Sequence, residues 1–500
     1  MSSSAPVKEK IIRNEENKLK VIIVGAGLGG LGAAIAISLA GHSVTVLESA
    51  QEIGEVGAGI QVLPPTSLIL RDWGLLPYLS AHSTFPTKVN MISWKGNLIS
   101  SMDFRESAAQ YPGSVYWDFH RANLHRGLYE RALELGAKVK VGMRVVDVEI
   151  LENGARVIVE KRRSEDRGEE EEGDLTADLV VGADGIFSKL REVMLGREDE
   201  PHLTGDLAYR LLLSTKDMLA DEELADFVKN PQVNYWMGPD MHAGKHFPLF
   251  HLGFCWDPVE LTCVLVNYVL RGGELFNMVL LVPDDMPAGA TTLEGNVEEM
   301  RALFKDWDPR ISKLLGMCES VYKWRLCTRP GLDNWSHPSG HFTLLGDAVH
   351  ATLPYLASGA GMSLEDAAVL GELLSHYPNS SSTLPPTTEF KSSFLQHALP
   401  IYQALRAPRT QTVVERGNTQ QYLYHLPDGP EQIERDRKMR QQEEGEALAW
   451  RDKGLAPWLL GYRVSDAVEK LWVPFREQAE DETKKDLEAK NDRESRDARL

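Results

Sequence analysis

The chain has 500 residues, 43% of them hydrophobic and 25% charged, with a formal net charge of −19, which leaves room for two or three domains of an ordinary globular protein. The acidic balance excludes a nucleic-acid partner and an anionic membrane surface, since both need clustered Lys and Arg. Cys255, Cys263, Cys318 and Cys327 form no CxxC pair, no run reaches the roughly 18 apolar residues of a membrane span, and the N-terminus lacks a signal-peptide core. The sequence therefore predicts a cytoplasmic protein without disulfide framework, metal site or membrane anchor.

Residues 1–19 read as a disordered lead-in. Val21 to Val24 then form a short continuous apolar run, as a parallel strand buried on both faces requires. The glycines begin where it ends: Gly25 for a tight turn, Gly27 for close approach of backbone to a pyrophosphate, Gly30 for packing of the following helix on the sheet. That helix, from about Leu28 to Leu39, directs free N–H groups and its positive dipole end at the phosphates. The next strand, Ser43 to Leu47, runs into Glu48, placed about 20 residues on, where an acid accepts both ribose hydroxyls and repels a 2′-phosphate. An unphosphorylated adenosine ribose means FAD or NAD.

Gly54, Gly57 and Gly59 make a ligand-wrapping loop, and Ser67 to Trp73 a short helix. Residues 86–104 alternate as strands do, and Arg121 to Leu135 carries helical spacing at Leu124, Leu128, Ala132 and Leu135. Lys138 to Val148 and Ala155 to Glu160 read as paired strands, with the charged run 162–174 as a solvated hairpin tip. At 177–191 a buried strand, Leu179 to Val181, meets Asp184 and Gly185 before a helix. At 342–374 the strand Phe342 to Leu345 ends in Gly346-Asp347, a carboxylate at the carboxyl end of a strand, where open α/β sheets bind ligands. Pro354 stiffens the turn, and Ser358 to Gly361 expose amides at a helix start. His350 reads as a structural or ribityl-side histidine rather than a base.

These three motifs, in this order, resemble the fingerprints of the single-component FAD-dependent aromatic hydroxylases, nearest to the fungal salicylate-hydroxylase-like monooxygenases. The resemblance spans about residues 20–420. It implies tightly bound FAD, NAD(P)H as transient co-substrate, and insertion of one oxygen atom from dioxygen into a phenolic ring. It further implies that Glu48 holds the adenosine ribose, that Gly59 and Gln61 border the flavin, and that Arg121 reaches the FAD phosphates. Asp347 is similar to the ribityl-binding acid, Ala360 and Gly361 to the backbone beside the flavin ring, and Asp184-Gly185 to the element serving FAD and reductant. Reduced flavin is anionic, so amides near Met362 suit it.

Hydroxylation at a carboxylated ring carbon expels carbon dioxide, and such a substrate is an anion that wants a cation. Arg210, among apolar residues of GDLAYRLLLS, is the candidate, because an unpaired buried Arg is costly. Tyr235, Trp236 and His242 are expected to line the same pocket. Family members run from a GPxxH element straight into a strand like VNYVLRGGELF, whereas residues 244–265 intervene here. They read as a retained intron, because Gly244-Lys245 is encodable as GGTAAG, Leu261-Thr262 with CTAAC, and Leu265-Val266 with TAG across the codon boundary. The bland alternative is a genuine insertion.

Ser375 to Thr388 is linker-like, Glu389 to Tyr424 helical with Arg406, Arg409 and Arg416 on a solvated or inter-subunit face, and 426–500 a charged helical extension whose Trp458 to Trp472 stretch folds back; a homodimer is one assembly this allows. The expected fold is α/β: a discontinuous Rossmann-like FAD-binding domain (20–201, with an antiparallel excursion at 86–118, and 331–425) and a mixed β-sheet substrate domain (202–330). The expected function is FAD- and NAD(P)H-dependent hydroxylation of a phenolic acid, with or without decarboxylation, in secondary metabolism. The alternatives are oxidation of a larger apolar terpenoid or prenylated intermediate, or a flavoprotein impaired by the insertion.

Overall fold

The computed structural model describes residues 7–54, 57–160, 175–240, 262–378 and 387–472. The charged run 162–174, His242, residues 244–261 and the tail from Asp481 lie outside them.

The apolar run at Lys20–Val24 is the middle of a five-stranded parallel sheet, ordered Phe342–Leu344, Leu179–Gly182, Lys20–Val24, Ser43–Leu47, Lys138–Lys140. Three of its strands run directly into the three sequence motifs, so each motif leaves the sheet at its carboxyl edge. Helices Leu28–Leu39 and Gly359–Ser375 pack against each other and carry much of the domain core. Lys138–Lys140 joins this sheet instead of the expected hairpin, whose strands are Val145–Leu151 and Gly154–Val159.

The second sheet has eight mixed strands: Thr292–Gly295, Val321–Thr328, His202–Ser214, Leu275–Pro283, Thr262–Leu270, Val233–Asp240, Lys88–Ser93 and Leu98–Asp103, in that order. The excursion predicted inside the FAD-binding half is therefore part of the substrate sheet: Lys88–Ser93 pairs in parallel with Val233–Asp240. The last four residues of the intervening segment, 262–265, begin the Thr262–Leu270 strand, with Leu265 opposite Trp236 and Val264 opposite Met237. A small sheet of Gly59–Val62, Trp117–His120 and Ser83–Thr84 touches both larger sheets, burying Trp117 and Phe119 in the core of the first and setting Gly59 against Tyr268 and Asn277 of the second.

Two sequence expectations are corrected by long-range contacts. Residues 7–19 are pinned rather than disordered: buried Arg13 donates through Nε to Ala40 O (2.7 Å), through Nη1 to Tyr377 O (2.7 Å) and through Nη2 to Ser375 O (2.9 Å). Arg406 and Arg409 are not on a solvated or subunit-contact face. They are buried inside the Thr388–Tyr424 helix packing and ion-paired to Glu365 and Asp366, while Arg409 also donates to Trp458 O and Leu459 O of the C-terminal extension. The predicted fold-back at 458–472 is present, with Leu459, Leu460 and Trp472 buried.

His42 closes the first helix. Its Nδ1 accepts from Leu19 N (3.1 Å) and its Nε2 donates to Leu374 O (2.9 Å), so the ring is neutral, and burial pushes it down from 6.5 to about 3. Between those values only the unfolded chain takes up the proton, so stability falls as pH drops through the window, by at most about 1.4 kcal/mol per pH unit. His42→Asn should lower stability at pH 7 by about 1–2 kcal/mol, yet flatten this acid slope. Urea midpoints measured from about pH 7 to about pH 4 check both effects.

Candidate active site

The Lys20–Val24 strand ends at Gly25, whose φ of +104° and 2.4 Å approach of a built Cβ to Ala183 O admit only glycine. A Cβ on Gly30 would stand 2.0 Å from Gly25 O, so the helix sits directly on the turn, whereas one on Gly27 meets no atom of the described residues within 4 Å. That open space faces the first amides of the Leu28–Leu39 helix, the place for a pyrophosphate. Glu48 reaches over it: Oε2 accepts from Ala26 N and Oε1 from Ala50 N, both at 2.8 Å. His125 braces the other side, its Nε2 2.7 Å from Ala26 O.

The second motif is spent largely on architecture. The Asp184 carboxylate accepts from Ser188 Oγ (2.5 Å) and Leu190 N (3.0 Å), fixing the start of the Lys189–Leu195 helix, while Gly185 turns at φ +78° into open space. Burial raises the Asp184 carboxyl against the pull of those bonds. Arg191, fully buried, pairs with Asp199 at 2.6 Å and donates to Ala348 O and Val349 O at 3.2 Å, joining this motif to the third.

In the third motif Asp347 is the exposed residue among buried neighbours. Behind it Asp366 Oδ2 accepts from Gly346 N (3.1 Å) and His350 Nε2 (2.5 Å), while Oδ1 accepts from Arg406 Nε (2.7 Å). His350 is thus structural, one of the two roles expected. Burial works against ionisation of Glu365 and Asp366. The charges of Arg409 and Arg406 on the first, and of His350 and Arg406 on the second, outweigh it and hold both below the usual carboxylate range. Gly359, Ala360 and Gly361 start the following helix with half-exposed backbone, just after Ala357 in the left-handed region at φ 49°.

Across from these loops lies one face of the eight-stranded sheet. Its register puts Arg210, Val279, Val266, Tyr235 and Met91 in a single row, with Leu212, Asn277 and Tyr268 in the next. Arg210 Nε has no hydrogen-bond partner among the described residues; its guanidinium lies 5.2 Å from the Trp324 ring centroid, and burial, then Arg121, lowers its pKa. So Arg121 at the start of the Arg121–Glu134 helix acts on the substrate side too. Tyr235 is buried against Tyr424 and Trp450, ring centroids 5.6 and 6.1 Å away. Trp236 faces the opposite way, 5.1 Å from Arg310, so it does not line this pocket. Gly59 donates to Asn277 Oδ1 (2.8 Å) and Gln61 Nε2 to Asp118 Oδ1 (3.2 Å), closing the loop onto this face.

Sequence reading missed Asp118, Tyr268 and Asn277, which carry no local pattern. It also missed the buried arginines, for which a signal existed: two consecutive acids in the apolar helix GMSLEDAAVL demand buried cations.

A flavoprotein with a parallel nucleotide-binding sheet and a separate mixed sheet is the class these elements define. Residues 18–256 match the FAD binding domain family. The chain is 37% identical to the FAD-dependent monooxygenase OpS4 of Beauveria bassiana (strain ARSEF 2860), over 89% of this chain and 95% of that protein. It is 31% identical to the 3-amino-4-hydroxybenzoate 2-monooxygenase PtmB3 of Streptomyces platensis, over 87% and 96%. A solved salicylate hydroxylase substrate complex shares the fold, with a TM-score of 0.68 at 20% identity, over 91% of this chain and 98% of that one. The chain belongs to the FAD-dependent monooxygenases, the single-component aromatic hydroxylase family its motifs resemble, and FAD is its cofactor.

Proposed function

We propose that this enzyme hydroxylates a phenolic acid in secondary metabolism, using NAD(P)H as electron donor and releasing carbon dioxide where the attacked carbon bears the carboxylate. The observation that carries the reading is Arg210: a half-buried side chain whose buried Nε has no hydrogen-bond partner among the described residues, on the sheet face that the Gly59 loop covers. Leaving it unmet costs several kcal/mol, which an aromatic carboxylate would offset through charge-assisted hydrogen bonds. The names of two relatives, 3-amino-4-hydroxybenzoate 2-monooxygenase and 3-hydroxybenzoate 6-hydroxylase, support an aromatic acid.

Bound FAD, once reduced, supplies one oxygen atom of dioxygen. The chain does the rest: Glu48 holds the adenosine ribose, the Gly25–Gly30 turn the pyrophosphate, and Asp347 the ribityl chain. Amides at Ala360 and Gly361 stabilise negative charge at the ring. Asp184-Gly185 serves by shaping the edge that FAD and reductant share, and Arg121 lies between phosphates and pocket. Arg210 and Tyr235 fix the ring in a chamber that excludes water.

The test is oxidation of NADH and NADPH by the holoenzyme against salicylate, 3-hydroxybenzoate and 3-amino-4-hydroxybenzoate under ¹⁸O₂. At least one acid should accelerate oxidation and gain one labelled oxygen. Arg210→Ala should raise KM for that acid about 10- to 100-fold. An Arg210→Ala enzyme that turns over every carboxylated phenol like wild type would instead favour a larger apolar substrate.

A further inference from the structure

Four buried polar atoms on the Trp117–His120 strand and the substrate sheet have no hydrogen-bond partner among the described residues: Asp118 Oδ2, His120 Nδ1, Arg210 Nε and Asn277 Nδ2. Buried polar groups are paired in nine cases of about ten, so such a concentration marks a place where a ligand completes the bonding. Arg210 accounts for an anion. Asp118 does not fit an anion site at first sight.

Its position is fixed by alternation. Trp117 and Phe119 pack into the FAD-domain core, so Asp118 and His120 leave the strand on the other face, toward the substrate sheet. Gln61 stands opposite Asp118 in the ribbon and Gly59 opposite His120. A Cβ on Gly59 would lie 2.5 Å from Tyr268 Oη, so this face touches the row next to Arg210.

Asp118 Oδ1 is already taken by Gln61, and Oδ2 has no partner among the described residues. Complete burial raises the carboxyl well above its ordinary value, with the Gln61 bond opposing only in part. A neutral acid offers an O–H at Oδ2 and does not repel a carboxylate bound nearby. Tyr268 lies in the field of both groups, since Asp118 raises its hydroxyl and Arg210 lowers it, with burial the larger effect.

We infer that Asp118 is a specificity-determining residue: its Oδ2 hydrogen-bonds a hydroxyl on the substrate ring while Arg210 takes the carboxylate. The second half rests on the aromatic-acid reading; the Asp118 half stands apart from it. The enzyme thereby selects hydroxylated aromatic acids over bare ones, because a ring without the hydroxyl leaves the buried acid unmet.

The experiment is titration of holoenzyme with benzoate, phenol and 3-hydroxybenzoate, read by the flavin absorbance change. Asp118→Leu should weaken phenol and 3-hydroxybenzoate about 10- to 100-fold and benzoate by less than about 3-fold. Asp118→Asn, which keeps a donor, should hold all three near wild type. Arg210→Ala should do the converse, weakening benzoate and 3-hydroxybenzoate but not phenol. Equal weakening of benzoate and 3-hydroxybenzoate by Asp118→Leu, or no change in either, overturns the assignment. If phenol affinity depends on Asp118 while Arg210→Ala leaves benzoate untouched, the Asp118 assignment stands and the aromatic-acid reading falls.

Discussion

Replacing Arg406 by alanine should destabilise the protein by about 3–5 kcal/mol, because it leaves Glu365 and Asp366 as under-compensated buried charges. Arg406 is wholly buried, 2.7 Å from Asp366 Oδ1 and 2.8 Å from Glu365 Oε2. The damage should not stop at stability. Asp366 also receives Gly346 N and His350 Nε2, so the loop carrying Asp347 is held by the same carboxylate. Thermal midpoint and FAD affinity should therefore fall together in Arg406→Ala. Arg437→Ala is the control: that side chain is 40% exposed and pairs with Glu434 and Glu443 in solvent, so its loss should barely move the thermal midpoint and leave FAD binding alone. Both acids are held below their ordinary range, so the stability they contribute is present at neutral pH and is lost only as acid brings the pH down through those lowered values.

A second large effect separates two neighbouring glycines. Gly27→Ala adds a methyl to space that no atom of the described residues occupies within 4 Å, so the apoprotein should fold with an unchanged thermal midpoint. The same methyl fills the space in which a pyrophosphate would lie against the helix amides, and FAD affinity should fall at least about 100-fold. Gly30→Ala drives a Cβ to 2.0 Å from Gly25 O, forcing helix and strand apart, so it should lose both FAD and several degrees of thermal midpoint. Paired melting curves with and without FAD distinguish the two. A Gly27→Ala protein that retains flavin would mean that the glycine turn does not cradle it.

What the sequence made legible were contacts closed within a few dozen residues. The glycine turn and Glu48 form one strand, helix and strand, and their spacing alone orients the acid over Ala26. Gly346-Asp347 and the Gly359 helix start are likewise contiguous. The rest depends on pairing at a distance. Nothing in Lys88–Ser93 says that it will join Val233–Asp240 across the domain boundary, and Asp118 faces Tyr268 only because the ribbon folds onto a sheet assembled from segments far along the chain. Arg406 and Arg409 looked solvent-facing because a helix with spaced charges usually is. Their partners sit about 40 residues upstream.

The register also bears on residues 244–265. With Leu265 opposite Trp236 and Val264 opposite Met237, excising that segment would set Ala243 against Trp236 and His242 against Met237. Gly238-Pro239-Asp240-Met241 would then close the hairpin, a four-residue loop with proline where a type I turn accepts it. The strand pair over the pocket is thus compatible with the shorter chain, as the retained-intron reading requires. The most direct measurement is FAD titration of the chain lacking 244–265, followed by flavin absorbance and fluorescence. A yellow protein with one quenched flavin per chain is the result predicted. A folded protein that emerges colourless and ignores added FAD would contradict the placement of a flavin between these two sheets.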